Sequence, residues 1–165
     1  MAQNISLSTE LSQNIDLLHR LLPLGKSFDL ITRDLRLGET PAFWLGINGF
    51  CRTEILQQIF SDLQDPHYTL DSGIRDLPLY VQSRLGYAQV SLTSSVDDIL
   101  QNLLSGPSIL LVDGFDQAVI IDVRTYPVRS ISEPDTERST RGARDGFVET
   151  LLFNTNLIRR RVRST

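Results

Sequence analysis

Lysine and cysteine each occur once in the 165 residues, at Lys26 and Cys51. A single cysteine excludes an internal disulfide and fits a reducing compartment. Histidine is scarce too: His19 falls in an amphipathic helical stretch and His67 in a loop, and neither has the neighbours of a triad or a metal site. There is no phosphate-loop pattern and no G-x-G-x-x-G. Asp97-Asp98 reads as a pair of first-turn helix acids rather than a catalytic dyad. Cys51 follows Gly49-Phe50 near a helix start, where a thiol pKa can fall, but its default reading is a small buried hydrophobe. The chain is therefore expected to be non-catalytic, with no metal and no cofactor. No window approaches the run of about 20 apolar residues that a membrane helix needs. The polar stretch Met1–Glu10 lacks the basic and apolar regions of a secretory signal. No repeat with a period of about 20–50 residues is present.

What is present is one domain's worth of globular sequence, 41% hydrophobic and 22% charged. The net charge of −4 conceals a division. From Arg124 to Thr165 there are nine arginines against five acids, while the rest of the chain carries a net −8. The cationic end is built from arginine, whose planar fork suits defined carboxylate or phosphate pairing.

Periodicity orders the elements. Leu7, Leu11, Ile15, Leu18 and Leu22 predict a helix over 7–22 with Ser6 or Ser8 as cap, ended by Pro23 and Gly25. Phe28–Leu37 and Pro41–Ile47 read as strands, and Arg52–Leu63 as a helix burying Ile55, Leu56, Ile59 and Phe60. Asp65–Asp76 reads as an exposed loop. A short helix over 77–85 and a strand over 87–92 follow, then a helix over 96–104 capped by Ser94 or Ser95 and stopped by Gly106-Pro107. Ile109–Val112 and Ala118–Val123 read as a hairpin across Asp113-Gly114. The predicted class is α/β, in the order α-β-β-α-(α)-β-α-β-β-α. A mixed sheet of about five strands would carry helices packed on it.

The C-terminal stretch holds the densest set of candidate residues. Phe147, Val148, Leu151, Leu152, Thr155, Ile158 and Val162 recur at helical spacing and predict an apolar stripe, with Glu149, Asn156, Arg160 and Arg163 on the other side. Asp145 or Gly146 is the expected N-cap, and the arginines sit at the negative end of the helix. Arg141 and Arg144, with Gly142, Asp145, Gly146 and Glu149, make either an anion site at a helix start or an internal latch. In the latch they would pair with Glu133, Asp135 or Glu137. The latch is favoured because the acids are supplied in the same chain. Arg159, Arg160, Arg161 and Arg163 invite a nucleic-acid reading, but no aromatic residue interleaves with them and the whole chain is acidic. A subunit interface that receives an acidic neighbour is the preferred expectation, with an anion or nucleic-acid binding module as the alternative.

The run Arg141-Gly142-Ala143-Arg144-Asp145-Gly146-Phe147-Val148-Glu149, with Ile131–Glu137 before it and Asn154–Arg161 after it, resembles the A-subunit (GerA) family of bacterial spore germination receptors. Lys26–Asp29, Asn48–Phe50, Leu111–Gly114 and Asp122–Pro127 support the resemblance, which covers the chain from Lys26 onward. The Asp122–Pro127 stretch and the Arg-Asp form of the loop resemble the stage V sporulation protein AF branch. The resemblance implies a single domain, 1–165, from the soluble N-terminal region of a longer membrane protein. It would lie on the cytoplasmic side of the spore inner membrane, with membrane helices outside this chain. It further implies a regulatory or assembly role in a germinant receptor or ion-channel subunit. Other receptor subunits and further copies of itself would then be its partners, not nucleic acid.

Overall fold

Successive side chains of a strand point to opposite faces of a sheet, and here both faces are apolar. The computed structural model describes residues 5–51, 53–65, 76–86, 88–124 and 150–162, with residue 160 described through its backbone alone. The elements are α1 (Leu11–Leu21), β1 (Leu30–Leu37), β2 (Thr40–Ile47), α2 (Thr53–Gln64), α3 (Leu77–Arg84), β3 (Gln89–Thr93), α4 (Val96–Ser105), β4 (Ser108–Val112), β5 (Ala118–Asp122) and α5 (Leu151–Val162). The strands lie in the order β1-β2-β4-β5-β3.

Phe43, Leu45, Ile109, Leu111 and Ile120 project to one face. There α1 and α4 cover them with Leu11, Leu18, Val96, Ile99 and Leu103. Trp44, Leu110, Val112, Val119 and Ile121 project to the other, under Ile59 and Leu63 of α2 and Leu77 and Val81 of α3. Trp44 meets Phe60 edge-on, with ring centroids 5.2 Å apart. Burial on both faces explains why β2 and β4 read as continuous apolar runs rather than alternating ones.

The expected α/β class, element order and five-stranded sheet are all present. All four strand pairings are antiparallel. The start of α1 differs from expectation for an identifiable reason. Residues 7–10 are not helical, because the chain here runs beside the approach to α4. The Leu7 amide donates to the Ser94 carbonyl, the Val96 amide donates to the Ile5 carbonyl, and Ser6 bridges Ser95. Glu10, not a serine, precedes the first helical residue. On α2, Ile59 and Leu63 form the buried line, while Ile55, Leu56 and Phe60 are only partly covered. Most of the expected loop over 65–76 lies outside the described residues.

Ser95 caps α4 as expected, its side chain accepting from the Asp98 amide, and Gly106 closes the helix in the left-handed region at φ 117°. Ser95→Ala should lower stability by about 1 kcal/mol, read as a fall of about 3 °C in Tm. An unchanged melting curve would show that the cap adds nothing here.

Candidate functional site

Four stretches far apart in sequence converge at one end of the sheet. They are residues 27–29 before β1, residues 48–50 after β2, residues 122–124 after β5, and the inner side of α5. Asp29 joins three of them. Its Oδ1 accepts from the Ser27 hydroxyl, and its Oδ2 accepts from Arg159 Nε at 2.9 Å and Nη2 at 2.6 Å. Its backbone carbonyl accepts from the Asn48 amide at 2.8 Å. The pair is well enclosed, with the Arg159 and Asp29 side chains 17% and 7% exposed. Burial by itself pushes the Asp29 carboxyl upward. The Ser27 hydrogen bond and the Arg159 charge outweigh it and hold the group below its ordinary value.

The turn after β2 makes room for the helix. Gly49 sits at φ +82°, and a β-carbon there would stand 2.4 Å from Asn156 Nδ2 and 3.2 Å from Leu152 Cδ2. Asn156 is almost fully buried. Its Oδ1 finds no hydrogen-bond partner among the described residues. Phe50, also buried, and the side chain of Arg124 crowd against Gly106 from the other direction. Arg124 grips Asp122 through Nε–Oδ1 at 2.8 Å and Nη2–Oδ2 at 2.6 Å, and its Nη1 donates to the Ser105 carbonyl. The Asp122 carboxyl is likewise raised by burial, but held low overall by hydrogen bonds from Arg124.

This arrangement fastens a helix. Asp29 is paired with a cation and held below its ordinary value, which makes it a weak base at neutral pH. The Cys51 thiol is pushed up to about 11 by burial, so it is protonated at neutral pH and a poor nucleophile. Alkylation of Cys51 at neutral pH should therefore be slower than that of a free thiol, with a rate still rising above pH 9. A fast rate that plateaus near neutrality would contradict the assigned environment. Among the described residues no group of three or more His, Cys, Asp or Glu side chains could hold a metal ion.

The residues singled out from sequence divide three ways. Glu133, Glu137, Arg141, Gly142, Arg144, Asp145, Gly146 and Glu149 lie outside the described residues, as do the proposed cap of α5 and Arg163. Arg161 is exposed, and Arg160 belongs to α5 by its backbone. Arg159 turns inward to Asp29, so it does not join the outward cluster expected of the arginine run.

The facing of α5 also differs from expectation. Its covered line is Leu152, Asn156 and Arg159, whereas Leu151, Ile158 and Val162 of the predicted apolar stripe are exposed. The reason is local. Gly49 leaves space that Asn156 fills, and the Asp29 carboxylate captures Arg159, so polar pairing sets the rotation of the helix. Asp29 and Asn156 were not picked out from sequence. Asp29 did carry a signal, as the one acid in the 26–29 stretch leading into β1.

Comparison with known proteins gives a consistent result. The family model of the Bacillus/Clostridium GerA spore germination protein matches residues 19–165. Stage V sporulation protein AF of Bacillus subtilis is 37% identical over 147 residues, covering 85% of this chain and 28% of that protein. The Bacillus subtilis membrane protein YfkQ is 31% identical over 163 residues, covering 98% of this chain and 31% of the relative. Spore germination protein KA of the same organism is 30% identical over 146 residues, covering 86% and 26%. The chain thus spans less than a third of these relatives. The crystal structure of the N-terminal domain of the A subunit of the Bacillus megaterium spore germinant receptor GerK3 shares the fold. Its TM-score is 0.73 at 22% identity, over 99% of this chain and 58% of that one.

Proposed function

The chain belongs to the Bacillus/Clostridium GerA spore germination protein family, and we propose that it is a non-catalytic regulatory and assembly domain in the N-terminal region of a germination receptor or channel subunit. The observation that carries the reading is the seat of α5. Of the stretches that resemble the family, 26–29, 48–50, the described part of 122–127 and 154–161 meet there around the Asp29–Arg159 pair, while 111–114 lies at the other end of the sheet. Such a joint gives a helix at the end of the domain a defined position, and a position is what one part of a membrane subunit needs in order to report to another. The names of the relatives, which include sporulation, germination and membrane proteins, support placing the whole protein in the spore membrane. Other receptor subunits would be its partners there. The latch between Arg141 or Arg144 and the acids at 133–137 remains part of this proposal as a second fastening of the same helix.

Spores that express the full-length subunit without residues 1–165 are expected to lose the germination response that the intact subunit supports. Sporulation yield and heat resistance should stay unchanged. A normal response from the truncated subunit would remove the reading.

A further inference from the structure

β1 and β3 are the two edges of the sheet, and the β1 edge is open to another strand. Leu37 pairs with Thr40 across a two-residue turn, so these two exchange both hydrogen bonds. The odd-numbered residues of β1 therefore bond to β2. The Asn48 amide, which donates to the Asp29 carbonyl, keeps the same phase. Leu30, Thr32, Asp34 and Arg36 accordingly turn their backbone amides and carbonyls away from the sheet. Among the described residues one of these groups has a partner, the Thr32 carbonyl, which accepts from Arg33 Nη1 at 3.0 Å. Charge on an edge strand ordinarily discourages pairing. β1 carries charge of both signs, and their order makes the strand complementary to itself.

A second copy related by a two-fold axis perpendicular to the sheet would run antiparallel to β1, with each face of the sheet continued across the join. The residue on the axis then meets itself. An axis at Arg33, Asp34 or Arg36 opposes like charges, which destabilises a strand pair. An axis at Leu35 instead sets Asp34 opposite Arg36 of the second copy, and Arg36 opposite its Asp34. Both residues have outward amides and carbonyls, so each ion pair coincides with a hydrogen-bonded pair of the ladder. Asp34 and Arg36 are exposed, and the contact of Arg36 with Glu39 is a loose one of 3.9 Å, at 70% and 98% exposure. Arg33 points to the α2 side, where Glu39 of the second copy lies diagonal to it and α2 adds the acids Glu54 and Asp62. The helices leave room for the join. α2 contacts β1 while its Phe60 packs on Trp44 of β2, which places the helix between those two strands. With strands about 4.8 Å apart, the two copies of α2 would stand roughly 10 Å apart across the axis, the spacing of packed helices.

We propose that β1 pairs antiparallel with β1 of a second copy of this chain, centred on Leu35 and fixed by two reciprocal Asp34–Arg36 pairs. The pairing gives the assembly role proposed above a surface and a partner, and it rests on that reading for the presence of neighbouring copies.

The test is sedimentation equilibrium of the 165-residue chain over a wide range of concentration, where a reversible dimer is expected. Asp34→Arg replaces two attractions by two repulsions and should weaken that dimer at least about tenfold, as should Arg36→Asp. The double variant Asp34→Arg, Arg36→Asp restores both pairs and should dimerise as the parent does. Circular dichroism should be the same for all of these, since both side chains are exposed. Oxidation reads the register in a Cys51→Ser background. Leu35→Cys should link two copies, because opposed residues of a non-hydrogen-bonded pair stand about 4.5 Å apart, within reach of a disulfide. Arg33→Cys should not, because its two copies would be roughly 13 Å apart along the strands. Leu35 is also a core residue, so the exchanges at the exposed charges decide the matter if that variant does not fold. A monomer at every concentration, single reversals that leave the dimer unchanged, a double exchange no better than the singles, or linking through Arg33→Cys in place of Leu35→Cys would each overturn the proposal. None of these outcomes bears on whether spores lacking residues 1–165 germinate, so the two readings fail separately.

Discussion

Arg159→Ala is expected to destabilise the folded chain by about 3 kcal/mol, within the range for removing one partner of an enclosed ion pair. The loss exceeds that of a surface bridge because both side chains are largely shielded and both Arg159 nitrogens reach the same Asp29 oxygen. Removing the arginine leaves a carboxylate in a place where burial already disfavours its charge. Urea unfolding gives the value directly. The double variant Asp29→Leu, Arg159→Met should recover much of the loss, since an apolar pair of similar volume avoids the desolvation that the ion pair must offset.

The same pair sets an acid limit. Asp29 titrates lower in the folded chain than in the unfolded one, so its contribution is complete above the unfolded value of about 3.9 and is lost as pH falls through the folded value. Stability measured from pH 5 downward should fall more steeply for the parent than for the Leu/Met double variant. Parallel curves would assign acid unfolding to other carboxylates. An Arg159→Ala midpoint equal to that of the parent would mean that the pair does not hold α5 at all.

Gly49→Val is the second large effect. The left-handed backbone at Gly49 costs an ordinary L-residue about 1–2 kcal/mol, and the added carbon would lie inside the van der Waals envelope of Asn156. Because Asn156 is buried and Leu152, one turn before it on α5, also meets the added carbon, the clash is relieved by moving α5 rather than by rotating one exposed side chain. Together these cost roughly 2–4 kcal/mol. The damage should be local first, with proteolysis reaching α5 in the variant before the sheet. Gly25→Ala is the control. It also has a positive φ, of 73°, but nothing stands within 4 Å of an added carbon, so it should cost only the backbone share. Equal losses at both glycines would show that α5 does not press on the 48–50 turn.

Much of the fold was legible from the sequence because its signals are local. The β-branched runs at 109–112 and 118–122, Ser95 followed by Asp97-Asp98, and Gly106-Pro107 each specify an element with little help from the rest of the chain. The start of α1 was not, because residues 5–7 pair with residues 94–96, a partner some ninety positions away. The candidate site was legible only in part, for the same reason. The 26–29, 48–50 and 154–161 stretches stood out one by one, but nothing in their spacing says that Asp29 meets Arg159. The facing of α5 was misjudged because hydrophobic periodicity assumes that the apolar side is the covered one. Here a buried asparagine and an ion pair determine the rotation, and the apolar ridge is left facing outward.

Exchanging the two charges in the full-length subunit tests the central claim, that α5 held by Asp29 and Arg159 is required for the response. Spores carrying Asp29→Arg alone, or Arg159→Asp alone, should germinate far more slowly than the parent while the subunit still accumulates in the membrane. Spores carrying both exchanges restore an ion pair across the same two positions, and their germination should return toward the parental rate. Single reversals that germinate at the parental rate, or a double exchange no better than the worse single one, would contradict the account.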